Sequence, residues 1–173
     1  MKRLISIAAA GLLVAGCQTT PDEPLRATAA LQPTKGSKAF GEVTFEQDGD
    51  KVRMSAFAQG LKADSEHGFH IHEVGDCSSG DGMSAKGHFN PTGKPHGDPS
   101  KGEHHVGDLP ALRANKRGRA KVEVSLSGVS LQPGASNSII GRGMIIHADP
   151  DDYKTQPTGN SGSRVACGVV KAG

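Results

Sequence analysis

The chemistry in this sequence is concentrated in imidazole. Eight of its 173 residues are His, and they occur in two kinds of setting. His70-Ile71-His72 puts two rings two residues apart; on a β-strand such residues share a face, while Phe69 and Ile71 turn to the other. Two rings held that way are half of a metal site on a rigid element. His147 ends a second apolar run, Met144-Ile145-Ile146. His88, His96, His104, His105 and Asp108 lie in a stretch rich in Gly, Ser, Asp and Lys. Imidazole mixed with carboxylate suits tetrahedral zinc, and imidazole alone suits near-planar copper(II). A His pair on a wet strand face, or a loop that scavenges metal, is the plainer reading of either feature by itself. Both together favour metal chemistry, although spacing does not assign each histidine to one ion.

The elements that must position these rings are short strands. Period-two alternation marks Lys51–Gln59, with Val52, Met54, Ala56 and Ala58 inward, and Arg119–Ser127, with Ala120, Val122, Val124 and Leu126 inward. Asp48-Gly49 predicts a two-residue hairpin turn between Glu42–Gln47 and Lys51–Gln59. Further strands are expected at Ala27–Lys35, His67–Val74, Val106–Ala114, Gly143–Ala148 and Ala166–Val170. With 24 Gly, 10 Pro and no amphipathic helix, the pattern predicts an antiparallel sandwich or barrel. Residues 75–104 and 148–163 break the rhythm. Irregular segments of that length in a compact domain are functional or disordered, and the histidines lie within or beside them. Aromatics are 3% of the chain, with no Trp and Tyr153 the only Tyr, which excludes a stacking platform for single-stranded nucleic acid.

The first residues address the compartment. Lys2 and Arg3 precede an apolar run from Leu4 to Ala15, of signal-peptide length and too short to span a bilayer. Leu13-Val14-Ala15-Gly16-Cys17 resembles a bacterial lipoprotein signal, which implies cleavage after residue 16 and lipidation of Cys17. Gln18 implies sorting to the outer membrane. The chain then divides into a leader (1–16), a lipidated N-terminus and tether (17–26) and one domain (27–173). The net charge of +2 vanishes with Lys2 and Arg3, so no basic surplus argues for nucleic acid. With Cys17 lipidated, Cys77 and Cys167 remain, an even number in an oxidising compartment, which reads as one disulfide.

Six segments resemble the copper/zinc superoxide dismutases, in order and with compatible spacing. They are Gly68-Phe69-His70-Ile71-His72-Glu73, Gly87-His88-Phe89-Asn90-Pro91, Lys94-Pro95-His96-Gly97 and His105-Val106-Gly107-Asp108-Leu109. The last two are Ile139-Ile140-Gly141-Arg142 with Ile145-Ile146-His147, and Gly162-Ser163-Arg164-Val165-Ala166-Cys167-Gly168-Val169-Val170. The resemblance implies an all-β, eight-stranded antiparallel Greek-key sandwich or barrel, Ig-like in outline, with two long functional loops. It implies one copper per subunit on His70, His72, His88 and His147, and one zinc on His88, His96, His105 and Asp108. His88 would bridge the two ions. Arg164 would be the active-site guanidinium, Asp151 a carboxylate linking a copper-side ring to a zinc-side ring, and Cys77–Cys167 the disulfide. His67 matches a structural histidine, and His104 matches no role.

The reaction implied is disproportionation of superoxide to dioxygen and hydrogen peroxide, protecting the cell envelope. Asp108-Leu109-Pro110-Ala111 resembles the bacterial branch, whose assembly leaves homodimer or monomer open. The expected setting is the periplasm, with membrane contact only through the lipid on Cys17 and no nucleic-acid partner. A lipid-anchored copper buffer on the same sandwich is the competing reading. A buffer needs the ligands but has no use for a bridging ring or a nearby guanidinium.

Overall fold

The computed structural model describes residues 23–173; the leader and Cys17 lie outside the described residues. Alternating side chains build the first sheet. In β1 (Arg26–Pro33) Ala27, Ala29 and Leu31 turn inward, in β2 (Phe40–Asp48) Val43 and Phe45, and in β3 (Lys51–Gln59) Val52, Met54, Ala56 and Ala58. The first strand thus begins one residue before the expected Ala27–Lys35, because Arg26 already pairs with Glu46 in the ladder. The β2–β3 hairpin closes with Asp48 paired to Lys51, so its two loop residues are Gly49 and Asp50 rather than Asp48 and Gly49. Gly49 takes the positive φ (61°) at the first loop position, which glycine does without steric cost.

The remaining strands are β4 (Glu66–His67), β5 (Phe69–His72), β6 (Leu112–Arg113), β7 (Ala120–Ser127), β8 (Gly143–His147), β9 (Arg164–Val169) and β10 (Lys171–Ala172). One eight-stranded antiparallel sheet runs β5-β8-β9-β1-β2-β3-β7, with β10 also on β1, while β4 and β6 form a separate pair. Placing β9 beside β1 of the β1-β2-β3 meander is the Greek-key arrangement. The core holds Leu31, Phe45, Met54, Phe69, Ile71, Leu112, Ile139, Met144 and Ile146, all fully buried; each large apolar side chain contributes about 1.5–3 kcal/mol.

Two expectations need correction, and one alternative falls away. The strand expected over Val106–Ala114 is reduced to Leu112–Arg113. Asp108 turns its carboxylate onto the amides of His105 and Gly97, a local alternative to ladder pairing, and Pro110 offers no amide. On β7, Val122 and Val124 are only half-buried, unlike Ala120 and Leu126. Finally, β5 has no wet face: all four of its residues are buried, since the two irregular segments cover the histidine side. Those segments carry one turn of 3-10 helix, Met83–Ala85. Cys77 in the first of them is disulfide-bonded to Cys167 on β9.

Candidate metal centre

Two clusters of four candidate ligands form, His70, His72, His88 and His147 in one, His88, His96, His105 and Asp108 in the other, all buried. In the first, β5 supplies His70 and His72, and β8 supplies His147 at its end. Each of these three rings spends one nitrogen on the protein. His70 Nε2 lies 2.7 Å from Asp151 Oδ2, His72 Nδ1 donates to the Lys86 carbonyl (2.8 Å), and His147 Nδ1 donates to the Gly162 carbonyl (3.2 Å). Those acceptors fix the tautomers and leave the opposite nitrogen of each ring as a bare lone pair. His70 Nδ1, His72 Nε2, His147 Nε2 and His88 Nε2 are the buried side-chain nitrogens with no hydrogen-bond partner among the described residues. An orphaned buried acceptor costs about 1–3 kcal/mol, and here four converge. A cation in their midst satisfies all four.

The second cluster is built around one oxygen. Asp108 Oδ1 lies 2.9 Å from His88 Nδ1, 3.0 Å from His96 Nδ1 and 3.4 Å from His105 Nδ1. Ligands about 2.0–2.1 Å from a tetrahedral zinc stand roughly 3.3 Å apart, so the spacing fits that ion. Asp108 Oδ2 accepts from the amides of Gly97 (3.0 Å) and His105 (2.8 Å), which aims the other oxygen at the rings. His88 therefore presents Nδ1 to one cluster and Nε2 to the other, with its ring stacked on His70 at 3.9 Å between centroids.

Electrostatics separate the two sides. Burial holds His72 well below the ordinary imidazole range and lowers His88 to about 4 and His147 to about 3. These rings are neutral at neutral pH, as a metal ligand must be. At His96, burial pulls downward but Asp108 and Asp151 outweigh it and raise the ring to about 9. Burial opposes ionisation of Asp108, yet hydrogen bonds from His105, His88 and His96 hold it far below the usual carboxylate range.

Asp151 joins the two sides. Its Oδ2 meets His70, and its Oδ1 lies 2.9 Å from His96 Nε2 and accepts from the Tyr153 amide (2.7 Å). Gly159, at φ 67°, packs so close that an added Cβ would fall onto Asp151 Oδ1 and His96 Nε2. Arg164 opens β9; its Nη1 donates to the Gly82 carbonyl (2.6 Å) and its Nη2 to the Lys86 carbonyl, the acceptor His72 also uses. His67 is satisfied at both nitrogens, by the His147 carbonyl (2.8 Å) and Ser65 Oγ (2.9 Å), and belongs to neither cluster. His104 donates to the His105 carbonyl and also stays outside.

Sequence reasoning missed Gln156. Its side-chain amide pairs with the His96 backbone, Oε1 accepting from the amide (2.9 Å) and Nε2 donating to the carbonyl (2.8 Å). It missed the Tyr153 hydroxyl as well, which accepts from the Ala111 amide (3.1 Å) and ties the second loop to the segment after Asp108. Both contacts cross long sequence separations, and no spacing in the chain announces them.

The comparisons agree with the donor chemistry. Residues 39–170 match the family model described as copper/zinc superoxide dismutase. A protein named superoxide dismutase [Cu-Zn] 2 from Aquifex aeolicus is 38% identical over 99% of this chain and 100% of its own length. A superoxide dismutase [Cu-Zn] of Paramecium bursaria Chlorella virus 1 is 41% identical over 86% of this chain and 79% of its own. Among solved structures, a double mutant of a SOD-like protein from Bacillus subtilis superposes with a TM-score of 0.73 at 38% identity, covering 82% of this chain and 95% of that one. With an imidazole-only cage and a mixed cage sharing one ring, the chain belongs to the copper/zinc superoxide dismutase family, oxidoreductases that disproportionate superoxide with copper and zinc as cofactors.

Proposed function

We propose that His70 Nδ1 and the Nε2 atoms of His72, His88 and His147 hold the copper. His88 Nδ1, His96, His105 and Asp108 hold the zinc, and Arg164 receives the substrate anion. The observation that carries this reading is the set of four partnerless nitrogens, one of them on a ring whose other nitrogen faces the Asp108 cluster. A bound copper ion supplies the one-electron exchange with two successive superoxides, and zinc supplies a fixed, redox-inert charge.

The chain's own residues do the rest. Asp151, Lys86 and Gly162 lock the tautomers of His70, His72 and His147, so that each ring offers a lone pair without rearranging. His88 Nε2, when it does not hold the copper, could take up a proton and give it to the reduced substrate. The Arg164 guanidinium commits donors to Gly82 and Lys86, which fixes its plane, and keeps others for a diatomic anion. Cys77–Cys167 closes a 90-residue loop, worth about 4–5 kcal/mol in the chain-entropy account, and fastens the first irregular segment to the strand that Arg164 begins.

The setting proposed for this activity is the cell envelope: cleavage after residue 16, lipid on Cys17, and a periplasmic domain on a short tether, guarding the envelope against superoxide. The small residues directly before Cys17 support that reading. Cys17→Ala should release the protein from membranes, and retained acylation would refute the site.

The test of the centre is stepwise metal loading of the mature protein. Copper(II) paramagnetic resonance should change when zinc is added, and superoxide removal should rise far above that of the copper-free protein. Arg164→Ala should keep copper yet lose roughly tenfold or more in kcat/KM, the worth of a charge-assisted hydrogen bond. A copper buffer would bind the metal and show neither the zinc response nor turnover.

A further inference from the structure

One motif of the sequence has no part in the centre so far: Ile139-Ile140-Gly141-Arg142. Arg142 directly precedes β8, whose Gly143 pairs with His72 on β5, so the register brings its side chain opposite Glu73. There Nη1 donates to the Glu73 carbonyl (2.6 Å), and Nε donates to the Ser138 carbonyl (3.3 Å). The guanidinium carbon, Cζ, lies 4.3 Å from the centroid of the Phe89 ring. The backbone beneath is fixed, because the Val170 amide donates to the Arg142 carbonyl (2.9 Å) and the Arg142 amide donates to that of Ile139 (3.1 Å).

Glu73 follows His72 in the chain, and Phe89 follows His88. The segment carrying His88 pairs with β5 only briefly, through Glu73 N to Gly87 O (2.9 Å), Phe89 N to Ile71 O (2.8 Å) and the bridge between His72 and His88. We propose that Arg142 is a positioning residue for the shared ring. One planar guanidinium, lying over Phe89 and donating to the Glu73 and Ser138 carbonyls, clamps the neighbours of His72 and His88 together and fixes the angle at which the two rings meet, 5.1 Å between centroids and 65° between planes. Only arginine has the shape for it, since lysine offers a point charge in place of a flat fork.

The inference rests on the copper assignment above, and its test separates the two. The full chain, as parent, Arg142→Met, Arg142→Lys and Phe89→Leu, is loaded with zinc and then copper(II). Three quantities are read: the copper(II) resonance with and without zinc, the rate of copper release to a competing chelator, and the unfolding midpoint. Arg142→Met should alter the zinc-dependent resonance and speed release roughly tenfold, the low end of what lost support around a ligand costs. Arg142→Lys should fail to restore either. Phe89→Leu should give part of the effect, and combining it with Arg142→Met should give less than the sum, since both changes break one contact.

Parental resonance and release in Arg142→Met, even with a lower midpoint, would leave Arg142 only a fold-stabilising part and overturn the inference. Should that variant not fold, the same parental result in Phe89→Leu would overturn it. A parent whose resonance ignores zinc would overturn the bridging assignment itself, and the clamp with it.

Discussion

The two clusters meet at one ring but are built differently. On the copper side three of four rings stand on strands, His70 and His72 on β5 and His147 at the end of β8, inside a continuous ladder. On the zinc side every ligand comes from a segment outside the named strands, and what gathers them is the Asp108 carboxylate and its capped amides. A continuous ladder orders the first cluster, whereas the second hangs on isolated bridges to β5 and on the side chains gathered around Asp108. The three strand-borne rings would give a redox ion a fixed frame, with His88 the one ligand able to exchange. A zinc ion held there would add its binding energy to the folding of the segments that carry its ligands.

The largest test of that contrast removes the shared ring. His88→Ala should abolish the zinc response of the copper(II) resonance and cut zinc affinity by more than the roughly 100-fold that a lost supporting contact costs. Copper should stay bound through the strand-borne rings. Loss of both metals together would mean the two sides are not separately built.

Asp151→Asn keeps the shape of the linking group and removes its charge. Because Asp151 touches one ring on each side, at 2.7 Å and 2.9 Å, zinc affinity should fall roughly 10–100-fold, with a smaller loss for copper. Equal losses would erase the distinction drawn between preformed and gathered cages. Chelation offers a third view through hydrogen exchange. The amides of Gly97, His105 and Tyr153, which donate to Asp108 and Asp151, should exchange at least roughly tenfold faster without zinc, while those of β5 and β8 hold their protection.

The smallest effect is in pH. In chelated protein the rings lowered by burial, His72, His88 and His147, carry stability that is complete above about 6.5 and drains as pH falls towards their folded values. His96, raised to about 9, works in the opposite sense: its contribution is complete below about 6.5 and is lost as pH rises through 9. The unfolding midpoint should therefore decline on both the acid and the alkaline side. Asp151→Asn should flatten the alkaline decline and leave the acid one unchanged only above the ordinary carboxylate range, since Asp151 is itself held below that range. A midpoint indifferent to pH between 3 and 9 would contradict the burial assigned to these rings.

The same contrast explains what could be read from the chain. β3 falls where alternation places it, Lys51–Gln59, because one face meets the core and the other water. His70 and His72 were legible as a pair for the same reason of period. The zinc side has no period to read. The density of His near Asp108 announced a cation, but only likeness to a family separated His105 from its neighbour His104, which turns to a carbonyl instead. Val106–Ala114 alternates well enough to pass for a strand, yet Asp108 folds back on His105 and Gly97 and takes the amides for the site. Gln156 escaped notice, and Arg142 was legible only as part of a motif without a role, because a polar side chain bonded to distant backbone leaves no mark in local pattern.

Gly159 turns the linkage at Asp151 into a matter of free space. A methyl group there would collide with the carboxylate and the adjacent imidazole at once, so replacement by alanine would evict the connector while every ligand kept its identity. The molecule can thus lose its metals through a position that binds neither. A survey of inactive variants confined to the coordinating residues would overlook this one, whose only contribution is to leave room for its neighbours.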